Sequence, residues 1–155
     1  MNSPAIDVKS ILVAAWARRG SSARGWEFYA TLEPTRPHTT VTVYDTGGWG
    51  PPVNMPLYNP TVEIRVRGNP ESYQDAYAMA EWVRSALHSY GPVTVGGMRY
   101  LAIQQMGEIA PLGYDESKRP AFSLNFQMHR EPVGGERDGH DRCDEIPDTQ
   151  HPGRL

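Results

Sequence analysis

The sequence predicts an α+β domain: a mostly antiparallel sheet of about four to five strands, two helices packed on one face, a long β-hairpin loop and a disordered acidic C-terminal tail. Three observations predict it. Two stretches, one at the amino terminus and one near the middle, repeat apolar residues at helical spacing between a start signal and a glycine stop. Around them lie runs that alternate apolar and polar residues, of which "TVEIRVRG" (residues 61–68) is the cleanest. The order helix, three strands, helix, two strands favours antiparallel pairing with the helices gathered on one side.

Ser3-Pro4 opens the first helix, Ser as N-cap and Pro at a position where its missing N–H is harmless. Ile6, Ile11, Leu12, Ala15 and Trp16 follow at helical spacing, and Gly20 is the expected stop. Arg18 and Arg19 then fall in the last turn, favourable against the helix dipole. After the joint "SSARG", Trp26–Glu33 and Thr39–Asp45 read as two strands around the turn "EPTRPH". Val62, Ile64 and Val66 put one face of the third strand inward and leave Glu63, Arg65 and Arg67 on the other. Asn69-Pro70-Glu71 starts the second helix and Gly91-Pro92 ends it. Its stripe is Tyr73, Ala76, Tyr77, Ala80, Val83, Leu87 and Tyr90. "MRYLAIQQ" gives a fourth strand, "MGEIAPLGYDESKR" a loop, and "PAFSLNFQMHR" a fifth strand with Phe122, Leu124, Phe126 and Met128 on one face.

A length of 155 residues suits one domain with a single core. The 15 Gly and 14 Pro require much of it to be irregular. The single Cys143 excludes a disulfide framework within the chain and a thiolate metal cluster. No apolar run approaches the roughly 20 residues of a membrane span, and "MNSPAIDVKS" lacks the layout of a signal peptide, so cytoplasm-like conditions are expected. Residues 131–155 hold seven acids against three bases, a net −4, which leaves +1 on residues 1–130. A nearly neutral folded part argues against gripping nucleic acid by bulk charge. The expected division is therefore a domain over 1–131 and a flexible acidic tail over 132–155, too poor in large aliphatics to bury itself.

Asp45-Thr46-Gly47 matches the triplet of aspartic proteases, and a dimeric protease using Asp45 from each subunit is the enzyme reading. Gly48-Trp49-Gly50-Pro51-Pro52 follows it, however, and prolines remove N–H donors that such a site needs. "IAPLG" is a poor version of the later apolar-apolar-glycine segment. The structural alternative is an aspartate that ends a strand and bonds its own turn. His140, Asp141, Cys143 and His151 have metal-binding chemistry but lie in the acidic tail, without a framework to hold them. Arg65, Arg67, Arg99, Lys118, Arg119 and Arg130 suggest a phosphate face, but Glu63, Asp115 and Glu116 interrupt it. No catalytic set is complete, so no enzymatic activity, metal or cofactor is expected.

The unusual object is the loop from Thr46 to Pro60, with Trp49, Val53, Met55, Leu57 and Tyr58 among three glycines and four prolines. Long loops in compact domains tend to be functional or disordered, and this one is too rich in large apolar groups for disorder. A stiff loop with such groups suits a protein–protein contact, and Trp49, Met55, Leu57 and Tyr58 are its expected contact residues. Folding back on its own domain is the alternative.

Taken together, "PTVEIRVRG", "NPESYQDAYAMAEWVRSAL" and "YLAIQQMGEIAPLGYDESKRPAFSLNFQMHRE", after a short amino-terminal helix, resemble the tail terminator (tail-completion, or minor capsid) proteins of long-tailed bacteriophages. The resemblance covers about residues 3–131 and rests on order and spacing rather than on one diagnostic motif. It implies a virion assembly protein that forms a ring, usually a hexamer, on the last disc of the tail tube, stops its growth and offers a head-joining surface. The implied partners are other copies of itself, the tail tube protein and the head–tail connector protein, with DNA only as passing cargo and no membrane. The implied place is the head-proximal end of the tail, after assembly in the host cytoplasm. A head-side neck or connector-completion protein is the competing reading.

Overall fold

Alternation in "TVEIRVRG" places this segment at the centre of a sheet. In the computed structural model, which describes residues 1–19, 25–88 and 90–133, it forms β3 (Asn59–Arg67). The full order is α1 (Pro4–Ala17), β1 (Glu27–Ala30), β2 (Thr40–Trp49), β3, α2 (Tyr73–Leu87), β4 (Val93–Val95), β5 (Met98–Tyr114) and β6 (Pro120–Pro132). The strands lie in the order β1-β2-β3-β6-β5-β4. The α+β class and the two helices stand as expected; the sheet has six strands, not four to five, and one pair in it is parallel.

The extra strand is β4, three residues long, joined to β5 by Gly96-Gly97 with both φ values positive (61° and 80°). That is the two-residue turn whose twist matches a hairpin and which glycine adopts without strain. The parallel pair is β1 with β2, registered from Glu27↔Thr40 to Ala30↔Val43. Residues 31–39 therefore do not turn the chain into a hairpin; they carry it back to the starting end of β1. Two arginines hold this crossover. Arg67 Nη2 donates to the carbonyls of Pro34 (2.8 Å) and Pro37 (2.7 Å), and its Nε donates to that of His38 (3.1 Å). Arg119 Nη1 donates to Thr35 O at 2.6 Å. Both are buried, and burial pulls the Arg67 guanidinium below its ordinary value while Glu33, at 3.5 Å, opposes that shift.

Along the central pair, Val62 faces Phe126, Ile64 faces Leu124 and Val66 faces Phe122, all fully or almost fully buried. Helix α2 lays Ala76, Met79, Ala80, Val83 and Leu87 on this core. Tyr77 is half-buried, and Tyr73 is 43% exposed although its ring meets Phe122 edge-on at 4.9 Å. Helix α1 buries Ala5, Asp7, Val8, Ile11 and Leu12, and Ile6 faces solvent, contrary to the expected stripe. Its stop also comes earlier than Gly20, with Arg18 as C-cap and no basic residue in the last turn. Trp16 leaves α1 to meet Trp82 of α2 edge-on at 4.8 Å, which ties the two helices together over the same sheet face.

The stretch 106–119, expected as a loop, is mostly strand. β5 runs through to Tyr114, and only Asp115–Arg119 turns, with Asp115 Oδ1 accepting from the Ser117 and Arg119 N–H groups at 2.9 Å each. The register with β6 shifts between Tyr100/Ala102, Met106/Ala110 and Pro111/Gly113. These bulges, with Gly107, Pro111 and Gly113, break the alternation and hide the strand from a sequence reading. The acidic tail lies outside the described residues from residue 134 onward, as do His140, Asp141, Cys143 and His151.

Candidate interaction surface

Hairpin β2–β3 builds the most prominent surface feature. β2 continues past Asp45 to Trp49, and β3 starts at Asn59, so the loop proper is residues 50–58, shorter than expected. The ladder shifts between Asp45 and Gly48, and Gly48 pairs with Pro60 at φ +123°. A Cβ at Gly48 would run into Asn59 O and the Pro60 backbone, so only glycine fits this crossing. In the loop, Met55 N–H donates to Pro52 O (3.3 Å) across a tight turn with Asn54 at φ +64°. The chain returns to the sheet at Tyr58, which exchanges two backbone hydrogen bonds with Arg130 at 2.8 and 2.9 Å.

The four expected contact residues thus divide. Trp49 and Met55 are exposed at 59% and 54%. Leu57 is half-buried, and Tyr58 is half-buried at the base, where it packs against the core and prolongs the β3–β6 pairing. Val53, at 87%, is the most exposed large apolar residue of the loop. Trp49 stands between two shallow hollows: one of about 300 Å³ toward Pro4, Asp45, Tyr58 and Arg130, the other of about 290 Å³ toward Gln127 and His129. Exposed large apolar groups grouped on one rigid hairpin are the kind of surface that a partner desolvates with profit. A second exposed apolar contact pairs Tyr73 of α2 with Tyr114 of β5, their rings 6.3 Å apart.

Asp45 does not bond its own turn. Its Oδ1 accepts from the Ala5 N–H at 2.9 Å, while Ser3 Oγ accepts from Ile6 N–H at 3.4 Å and Pro4 has no N–H to satisfy. The amino end of α1 is capped jointly by its own Ser3 and by a carboxylate from β2. Asp45→Ala is therefore expected to cost about 0.5–2 kcal/mol, the range of a lost cap, with Asn recovering most of it because its amide oxygen still accepts. Urea unfolding of the two variants checks this, and equal losses in both would mean that the charge matters more than the bond.

Beneath the hairpin is a buried polar network. Asp7 Oδ2 accepts from Tyr100 OH at 2.5 Å and lies 3.6 Å from Arg130 Nη1, which itself donates to Tyr100 Oη (3.0 Å) and Asn2 O (3.2 Å). Burial and the hydrogen bond to Asp7 push the Tyr100 phenol well above its ordinary 10.0. Four more residues of the supposed basic face are also occupied: Arg67 and Arg119 with the crossover, Arg65 with Glu63, and Arg99 with Glu131. Among the described residues there is no group of three or more His, Cys, Asp or Glu placed to hold a metal, and no helix long and apolar enough to cross a membrane.

Comparison with known proteins adds three findings. The model of a family described as bacteriophage tail terminator protein matches residues 8–132. A solved chain from the virion of a native gene transfer agent (GTA) particle has a similar fold, with a TM-score of 0.64 at 16% identity over 83% of this chain and 95% of that one. A second solved chain superposes only loosely, with a TM-score of 0.45 at 15% identity over 77% of this chain and 94% of its own. No curated protein matches the sequence.

Proposed function

The chain belongs to the bacteriophage tail terminator protein family, and on that premise we propose that it closes the head-proximal end of the tail tube as a ring of identical copies, hexameric as the sequence resemblance implies. It is a structural protein of the virion tail. In the proposed role the ring stops addition of tail tube protein and turns its other side to the head–tail connector, while DNA passes through. Heterologous contacts that close around an axis make such a ring, and many modest contacts repeated around it hold through multivalency. A net charge near zero on residues 1–130 suits a passage along which DNA slides without being gripped.

The observation that carries the reading is the proline-stiffened loop 50–58 with its neighbour Trp49. Trp49, Val53 and Met55 are exposed on a hairpin whose base is fixed by Gly48 and by the Tyr58–Arg130 pair. We assign Trp49, Met55, Leu57 and Tyr58 to the contact with a neighbouring subunit or the tail tube, with Tyr58 serving as the base. Prolines lower the ordering cost of such a contact.

Replacing residues 50–57 by a short Gly-Ser turn is the test, because it leaves Tyr58, Gly48 and the ladder in place. The variant is expected to remain folded, with its melting temperature within a few degrees of the parent, and to lose ring formation or tail-tube binding. In an assembly assay it is expected to leave tails of uncontrolled length. A variant that sediments and ends tails like the parent would refute the assignment of the loop.

A further inference from the structure

Past the three residues covered by β4, the outer edge of β5 has no strand beside it among the described residues. An open edge of this length ordinarily offers a row of unpaired N–H and C=O groups on which another chain can add a strand. Here the row is stopped at four positions. Ile103 N–H donates to Tyr90 O at 3.0 Å. Gln105 N–H donates to His88 Nδ1 at 3.1 Å. Ile109 N–H donates to the Glu108 carboxylate at 3.0 Å, and Arg84 Nη1 of α2 holds the same carboxylate oxygen at 2.6 Å. Pro111 has no N–H to offer.

We propose that His88, Tyr90 and the Arg84–Glu108 pair form a guard supplied by the carboxyl end of α2, which keeps an extended strand of a second copy of this chain from adding to β5. The inference does not depend on the ring. Two features single out a second copy as the species kept away. The arm beyond the guard exposes Leu112 and Tyr114, and its only carboxylate before the turn, Glu108, is already paired. An uncharged, partly apolar strand edge repeated on every copy pairs with itself unless it is blocked. The guard groups are also placed where they block: the two side chains accept the amide protons that an incoming strand would need.

The test uses the full chain carrying His88→Ala and Glu108→Ala, both at solvent-facing side chains. In dilute solution, amide exchange at Gln105 and Ile109 is expected to quicken roughly two- to tenfold, the effect of one ordinary hydrogen bond. As concentration rises, sedimentation is expected to reveal association beyond any ring that the parent forms under the same conditions, with the Gln105 and Ile109 amides protected again in the associated form. Glu108→Gln, which keeps an acceptor oxygen, is expected to behave like the parent. No association beyond the parent's, association without renewed protection at those two amides, or equal association of Glu108→Gln and Glu108→Ala would each overturn the proposal. If the double variant does not fold, His88→Ala alone, read at Gln105, decides on the same criteria.

Discussion

Asp7→Ala is expected to lower stability by about 3–5 kcal/mol, the loss that follows when one partner of a buried ion pair is removed and the other charge is stranded. Asp7 is fully buried, and Arg130 is only 7% exposed. Without the carboxylate, Arg130 keeps Tyr100 Oη and Asn2 O as acceptors but has no anion, and its Nε is already a buried donor without a partner. Tyr100 OH would lose its acceptor as well. Asp7→Asn should lose less, because an amide oxygen can still accept from the phenol. Urea unfolding of both variants measures this; a loss under about 1 kcal/mol for Asp7→Ala, typical of a surface pair, would mean that water replaces the carboxylate. The same network sets an alkaline limit. A phenol whose folded value lies above its unfolded 10.0 holds its proton more tightly when folded, so its contribution is complete below about pH 10 and declines above it.

Leu87→Ala is the second large effect, expected at about 2–5 kcal/mol. Leu87 is the last residue of α2 and has no exposed surface, so truncation leaves a void at the end of a helix that cannot collapse freely. The backbone there is held from beyond the helix: His88 N–H bonds Arg84 O, Tyr90 N–H bonds Leu87 O, and Tyr90 O holds Ile103 N–H. Thermal and urea denaturation give the value. A change below about 0.5 kcal/mol would be that of an exposed position.

What the sequence discloses and what it hides follow from the range of the interactions involved. Ser3-Pro4, the stripe Ala76–Ala80–Val83–Leu87 and the alternation of Val62, Ile64 and Val66 are local patterns with one physical reading each, and each was legible. The direction of β1 was not. Nothing within residues 27–45 specifies a parallel pair, because the groups that hold the crossover come from Arg67 and Arg119. β4 had a readable signal, the Gly-Gly turn, but three residues are too few for a period. β5 was lost at its bulges, where two-residue alternation fails. In the candidate surface, Trp49 and Met55 could be chosen from composition alone, whereas the anchoring of Tyr58 depends on Arg130, seventy-two residues further along. For Asp45 the sequence offers two readings, a protease triplet and an aspartate that bonds its own turn, and the partner its Oδ1 takes, the Ala5 amide, lies forty residues away where neither local reading points.

The arginine-held crossover between β1 and β2 has a consequence for the order in which the molecule can form. Its fastening side chains belong to the end of β3 and to the turn before β6. A crossover whose clasps arrive from residues 67 and 119 cannot be clasped until those strands have found each other, so local attraction alone does not seat β1. The β1–β2 pairing is itself short in sequence, thirteen residues from Glu27 to Thr40, but the crossover that joins the two strands is secured only once β3 has met β6, a pairing that spans sixty residues from Ile64 to Leu124. Under denaturing stress the β1 margin is therefore expected to unclasp while the centre still holds.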